Sequence, residues 1–421
     1  MRHATRLLAA LSLAAIAVAA AGCPGESPPS DTETEDEVTT EPSAEEPAER
    51  ASALAHELLI VDTHVDLPYR LNDGWEDVTV RTPDGHFDAV RAREGGLDAP
   101  FMSIYVPADL GEGREAFDHA EAMIDLVERL ATDHPETFRL ATSPAEVRQA
   151  FADGVIALPM GMENGAAIGD DLANLEHFHG RGIRYVTLTH SANNQISDSS
   201  YAEDDRWGGL SPFGREVVAE MNRLGILVDV SHLSDEAVAE AVEISRVPVI
   251  ASHSSCRHFT PGFERNLSDE LIRAIAAKSG VVQVNFGSAF VTEEANRTLM
   301  DGWKAVAAWV EEHGVEEGSP EAEAYAEEWK AAHPFTEPTL ADVADHIDHV
   351  VSLVGVDHVG IGSDFDGVSA VPVGLEDVST YPALLAELLR RGYSEEDLRK
   401  IAGENLMRVW EAAEQAAGAA G

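Results

Sequence analysis

Eight short apolar runs recur along the chain, at residues 59–66, 100–106, 155–162, 184–190, 226–232, 247–253, 281–286 and 358–363. Most are separated by segments whose apolar residues stand three and four positions apart, as in 116–131, Pro212–Leu224, Asp235–Ile244 and Asp269–Ala277. Runs of the first kind have strand length, and the second spacing is that of amphipathic helices. Several runs are apolar on both faces, as parallel strands covered by helices are. Eight such strands with helices between them predict a closed parallel (β/α)8 barrel, with a doubly wound open sheet as the alternative. One gap breaks the rhythm. Residues 292–338, between the seventh and eighth runs, carry Trp303, Trp309, Trp329 and many acids at helical spacing. They read as a helical insertion over or beside the barrel mouth. After the eighth run, 381–391 and 394–415 read as closing helices, the second capped at Ser394 with acids in its first turn.

The N-terminal pattern is different. Arg2 and Arg6 precede an apolar run at 7–21 that ends Ala20-Ala21-Gly22-Cys23. The run is too short and too rich in small residues for a membrane span, and reads as an export signal over residues 1–22. Small residues before a Cys resemble the bacterial lipoprotein processing site, in which Cys23 becomes the lipidated N-terminus. Ala20 stands where that pattern usually has Leu, so plain secretion stays open. Residues 24–50 are rich in Pro, Ser, Thr and Glu, with Val38 the only large aliphatic residue. Such a stretch buries too little to fold and reads as an acidic tether. The folded domain is expected to begin near Ala51, with a short helix leading into the first strand. The expected protein is an exported globule whose contact with the membrane is a lipid anchor. Cys23 and Cys256 are the only cysteines, so with Cys23 lipidated no disulfide forms and stability rests on the core.

Charge narrows the partners. The formal net charge is −47, and Lys278, Lys304, Lys330 and Lys400 are the only lysines. Such a surface repels nucleic acid and anionic headgroups. Attraction of cationic ligands is one reading; adaptation of the whole surface to high salt is the preferred one.

The chemistry sits where the runs end. The first ends His64-Val65-Asp66, with a nitrogen and an oxygen ligand two residues apart on one strand face. Others end Gly161-Met162-Glu163-Asn164-Gly165, Thr189-His190, Ser231-His232, Ser252-His253 and Gly362-Ser363-Asp364. Each alone is an ordinary polar strand end. Four His and three carboxylates at the same end of successive strands call for metal, which offsets the cost of gathering them. His64, Asp66, His232 and His253 supply four terminal ligands, and Glu163 is the candidate bridge between two zinc ions. Such a pair can hold a hydroxide and polarise a carbonyl or phosphoryl oxygen. The ligand types also suit cobalt or manganese.

These segments resemble the renal (membrane) dipeptidase family of zinc dipeptidases, among the amidohydrolase-like barrels. The resemblance rests on Val61-Asp62-Thr63-His64-Val65-Asp66, Glu163-Asn164-Gly165, 182–190, Asp229-Val230-Ser231-His232, Ser252-His253-Ser254-Ser255, Arg265-Asn266-Leu267, 362–367 and 374–378, in family order. It implies that His64 and Asp66 ligate one zinc, His232 and His253 the other, and Glu163 both. It implies that His190 contacts substrate and steadies the oxyanion, that Arg265 binds the dipeptide's free carboxylate, and that Asp364 shuttles a proton and receives the α-amino group. Arg257 is a rival to Arg265. The family often has Gly where this chain has Asn164, and its mammalian members lack the 292–338 insertion. The implied activity is hydrolysis of free dipeptides by a metal-bridging hydroxide, with a D-residue at the C-terminal position open; dimers are common in the family. Alternatives are the same site acting on N-acyl amino acids, lactams, lactones or phosphoesters, or a lipid-anchored peptide-binding protein. No Gly-x-Ser-x-Gly elbow and no three-Gly dinucleotide fingerprint is present.

Overall fold

The computed structural model describes residues 45–316 and 318–420; the expected signal sequence, Cys23 and the expected tether up to residue 44 lie outside them. Ten strands form among the described residues: β1 (Ile60–Val65), β2 (Leu97–Tyr105), β3 (Phe138–Leu140), β4 (Ile156–Leu158), β5 (Met160–Glu163), β6 (Ile183–Thr187), β7 (Leu227–Asp229), β8 (Ile250–Ala251), β9 (Val281–Val284) and β10 (Val359–Ile361). Eight close into a parallel barrel in the order β1-β10-β9-β8-β7-β6-β5-β2. This is the expected (β/α)8 architecture, and the open sheet is excluded.

The third run departs from expectation. Residues 155–162 are split at Pro159: β4 pairs in parallel with β3, a strand absent from the sequence reading, while β5 enters the barrel between β2 and β6. Proline has no N–H to give a ladder, so a break there is natural even where hydrophobicity continues. The Pro159 carbonyl still accepts from the Met102 N–H, 2.8 Å away.

The helices over Pro212–Leu224, Asp235–Ile244 and Asp269–Ala277 match the spacing. Each begins after a serine, Ser211, Ser234 or Ser268, whose side chain accepts from the third helical N–H. That bond satisfies a donor the helix cannot. Ser394 caps as expected, but the closing helix is interrupted by a π turn at Lys400–Glu404 before Asn405–Ala420. At the other end, a helix spans Glu45–Glu57, so residues 45–50, expected in the tether, are helical. Arg50 explains the gain, pairing with Glu57 on its own helix and with Glu395.

The C-terminal helix plugs the barrel floor. Trp410 and Met407 are fully buried in one cluster with Val61, Phe101, Leu227 and Val281, and the Trp410 and Phe101 rings lie 5.2 Å apart. With the floor packed, the open end is the C-terminal one, where β1, β5, β7 and β10 deliver their polar residues. The insertion is two helices, Glu293–His313 and Pro320–Ala332, joined by stacked Trp309 and Tyr325 rings with centroids 5.1 Å apart. No helix among the described residues is long and apolar enough to cross a membrane.

Candidate metal centre

A register irregularity in β1 between Asp62 and Val65 turns His64 toward the barrel axis, where its Nδ1 lies 2.8 Å from the Tyr185 hydroxyl of β6. Asp62 anchors the same turn from outside, accepting from the N–H groups of His64 and Ser363 and from the Tyr381 hydroxyl. Asp229 does likewise at β7 and β8, accepting from the Ser252 hydroxyl at 2.6 Å. That proton leaves a Ser252 lone pair to accept from His253 Nδ1, 2.7 Å away. His253 Nε2 is then unprotonated and free to ligate, in the arrangement by which a partner on the second ring nitrogen orients a metal-binding imidazole.

Glu163 is the hub. Its Oε1 lies 3.1 Å from His232 Nε2, 3.2 Å from His253 Nε2 and 3.6 Å from His190 Nε2. Its Oε2 lies 3.4 Å from His64 Nε2, which is also 3.4 Å from Asp66 Oδ2. One oxygen thus faces the β7–β8 histidines and the other faces β1. The close groupings are His64 with Glu163 and His253, Glu163 with His190 and His232, and His64 with Asp66 and Asp364. All seven expected strand-end residues therefore converge. The pairing of His253 with His64, whose rings stack at 3.7 Å, is closer than the division into two separate ligand pairs implies.

Electrostatics favour ligation. Burial pushes Glu163 up, but the His64 and His190 imidazoles and bonds from His232 and His253 hold it well below the usual carboxylate range. Burial, helped by Arg265, holds His232 well below its usual value; burial and His64 do the same for His253. Both imidazoles are thereby favoured in the neutral form. Burial also pushes His64 down, yet Tyr185, Glu163 and Asp66 outweigh it and raise it. Its Nε2 is buried without a hydrogen-bond partner, facing two carboxylates. A cation is what that donor set fits. Asp364 is raised to about 7, chiefly by burial, with His64 opposing and Asp66 and Glu163 adding to the rise.

Backbone strain concentrates here. Asn164, His232, Asp364 and Asp366 all have φ between 66° and 78°, and Ser279 is the only other such non-glycine residue among those described. Asn164 manages this by accepting from the Ala166 N–H and donating to the Val106 carbonyl, which is how a residue other than Gly serves at that turn. Gly367 must lack a side chain, since a Cβ there would stand 2.2 Å from Asp66 Oδ2 and 2.6 Å from Asp364 Oδ1.

A cavity of about 530 Å³ opens above the cluster, lined by Asp66, Glu163, His190, His232 and Asp364. Arg265 is buried against it rather than lining it: its Nη2 lies 3.0 Å from His232 Nε2, and its Nη1 donates to the Ser254 hydroxyl. Arg257, the rival, makes a bidentate pair with Asp235 away from the cavity. Tyr185, Ser252 and Asn285 were missed in the sequence. Asn285 donates to Asp364 Oδ2 at 2.7 Å. Tyr185 and Ser252 stand inside apolar or small-residue runs where nothing marks them as partners.

A parallel barrel whose mouth gathers four imidazoles around one buried carboxylate defines a metal-dependent hydrolase. A model of the family described as Membrane dipeptidase (Peptidase family M19) matches residues 48–420, and the chain belongs to that family of metallopeptidases. It is similar to the crystal structure of the probable dipeptidase PvdM from Pseudomonas aeruginosa, with 29% identity over 88% of this chain and 99% of that one and a TM-score of 0.77. The metallopeptidase dipeptidase AC is similar at 30% identity over 85% and 98%, TM-score 0.70. So is a Rhodobacter sphaeroides metallopeptidase liganded with a phosphinate mimic of the dipeptide L-Ala-D-Ala, at 29% identity over 85% and 99%, TM-score 0.70.

Proposed function

We propose that this chain hydrolyses free dipeptides at a two-zinc centre, accepts a D-residue at the C-terminal position, and works outside the cytoplasm as a homodimer anchored through lipidated Cys23. The observation that carries the catalytic reading is the division of Glu163, with one oxygen toward His232 and His253 and the other toward His64, whose Nε2 in turn stands beside Asp66. A carboxylate so placed suits a bridge, and the five residues would hold two ions. Bound there, zinc supplies Lewis-acid polarisation of the scissile carbonyl and an acidified water.

The chain's own groups do the rest. Neutral His190, held down by burial and packed edge-on to Tyr105, donates to the oxygen that becomes negative in the tetrahedral state. Asp364, fixed by Asn285 and poised near neutrality, takes a proton from the attacking side and gives it to the leaving amine. The same carboxylate faces the substrate's α-ammonium, and the Arg265 guanidinium forms the opposite, positive pole for its α-carboxylate. A charge assigned to each end of the substrate disfavours longer chains. The relative bound to an L-Ala-D-Ala mimic supports acceptance of a C-terminal D-residue.

The test is hydrolysis by the purified protein, with and without chelator, of L,L- and L,D-dipeptides, a tripeptide, an N-acetylated dipeptide and an N-acyl amino acid. Chelator-sensitive cleavage confined to free dipeptides is expected. Preference for the acylated compounds would keep the metal site and overturn the substrate assignment.

A further inference from the structure

The active-site cavity has two unlike walls. One is the ligand cluster with its carboxylates and imidazoles; the other is apolar and built by Phe290, Val368, Met300 and Trp303. The last two come from the inserted helix Glu293–His313. Phe290 lies in the turn just before that helix, and Arg265 stands over its ring at 5.3 Å. The apolar wall therefore begins at the pole assigned to the substrate carboxylate.

Trp303 is the unusual member. It is 43% exposed, one of five large apolar residues among those described that face solvent so openly. Trp75 and Trp207, exposed to a similar degree, are each covered by an Arg guanidinium, and Trp207 also donates to the Asn194 carbonyl. Trp303 has no ring, cation or hydrogen-bond partner among the described residues. Trp303 also lines a second cavity of about 210 Å³, shared with residues of both inserted helices, and so borders that space as well as the substrate cavity. Specific contacts place the helix that carries it. Thr292 caps the helix, Asn296 donates to the Ala289 carbonyl at 2.7 Å, and the Trp329 ring of the second inserted helix packs so closely on Gly302 that a Cβ there would stand 2.8 Å from it. An exposed aromatic on a fixed support at the rim of a reaction cavity awaits an apolar group.

We propose that the inserted helix builds an apolar subsite, with Trp303 and Met300 facing Phe290 and Val368, that selects dipeptides carrying a large apolar side chain on the C-terminal residue. This rests on the dipeptidase reading above. A pocket that covers several methylenes discriminates by about tenfold or more.

The experiment measures kcat and KM of the zinc-loaded full chain, its Trp303→Ala, Trp303→Phe and Met300→Ala variants, on Ala-Ala, Ala-Leu, Ala-Phe, Leu-Ala and Phe-Ala. Wild type is expected to favour Ala-Leu and Ala-Phe over Ala-Ala by about tenfold or more in kcat/KM. Trp303→Ala should collapse that ratio mainly through KM, Met300→Ala should shrink it, and Trp303→Phe should restore most of it. Equal losses on all five substrates, a loss in kcat alone, or a preference confined to Leu-Ala and Phe-Ala would each overturn the subsite while leaving the dipeptidase intact. Failure of wild type to cleave any of the five would instead overturn the dipeptidase reading, and the subsite with it.

Discussion

Tyr185→Phe separates the orientation of His64, a proposed metal ligand, from its identity. Tyr185 is fully buried, its ring packed on Gly161 and 5.5 Å from Phe101, so loss of one oxygen leaves packing almost unchanged. What goes is the 2.8 Å contact to His64 Nδ1. His64 then has a buried ring N–H without an acceptor and an imidazole no longer held toward Glu163. Partners of this kind are worth about 10- to 100-fold in metal affinity, or roughly 1.4 to 2.7 kcal/mol. The assay is competitive zinc titration against a chromophoric chelator, with dipeptide turnover followed at rising free zinc. Weaker loading is expected, with kcat recovering as zinc saturates. Unchanged affinity, or a kcat deficit that persists at saturation, would refute the claim that Tyr185 acts by orienting His64.

Three further outcomes follow from the geometry. Arg265→Ala should raise KM for dipeptides by about 10- to 100-fold, as loss of a charged hydrogen bond would, and far less for dipeptide amides; equal effects on both would remove Arg265 from carboxylate binding. Asp98, half-buried by area but desolvated at its carboxyl, is pushed up to about 7 by burial, against a bond from the Ile60 N–H. A native value above the unfolded one means stability present below about pH 4 and lost as pH rises through 7. Asp98→Asn, which keeps the acceptor, should therefore gain on the order of 2 kcal/mol over wild type between pH 5 and pH 8, and a difference in Tm that does not vary with pH would contradict it. Burial pushes the Cys256 thiol far up, so native protein should show no fast-reacting thiol if Cys23 is lipidated and one if it is free.

The barrel and the strand-end residues that converge at its mouth were legible because the features that specify them are local. Apolar runs of strand length ending in His, Glu or Asp are visible without tertiary contacts, and so are helices opened by Ser211, Ser234 and Ser268. The β3–β4 pair was not, because β4 and β5 form one continuous apolar run and only Pro159 separates them. The helix start at Glu45 was hidden by composition: Pro and Glu read as tether until Arg50 finds Glu395, 345 positions away. Tyr185 and Ser252 could not be read as partners, since their roles depend on which rings the closed barrel brings within 2.8 Å. The stacking of His253 on His64, across β8 and β1, has the same origin. The insertion was legible as helical, but not the fact that it carries Met300 and Trp303 to the cavity.

The central claim is that Glu163 joins two metal sites into one reaction centre. Zinc content per chain after gel filtration, for wild type and Glu163→Ala, tests it most directly. Two zincs in wild type, both lost together in Glu163→Ala with dipeptide hydrolysis, is the predicted result. A Glu163→Ala protein that retains two zincs, or a wild type that hydrolyses dipeptides with one, would contradict it.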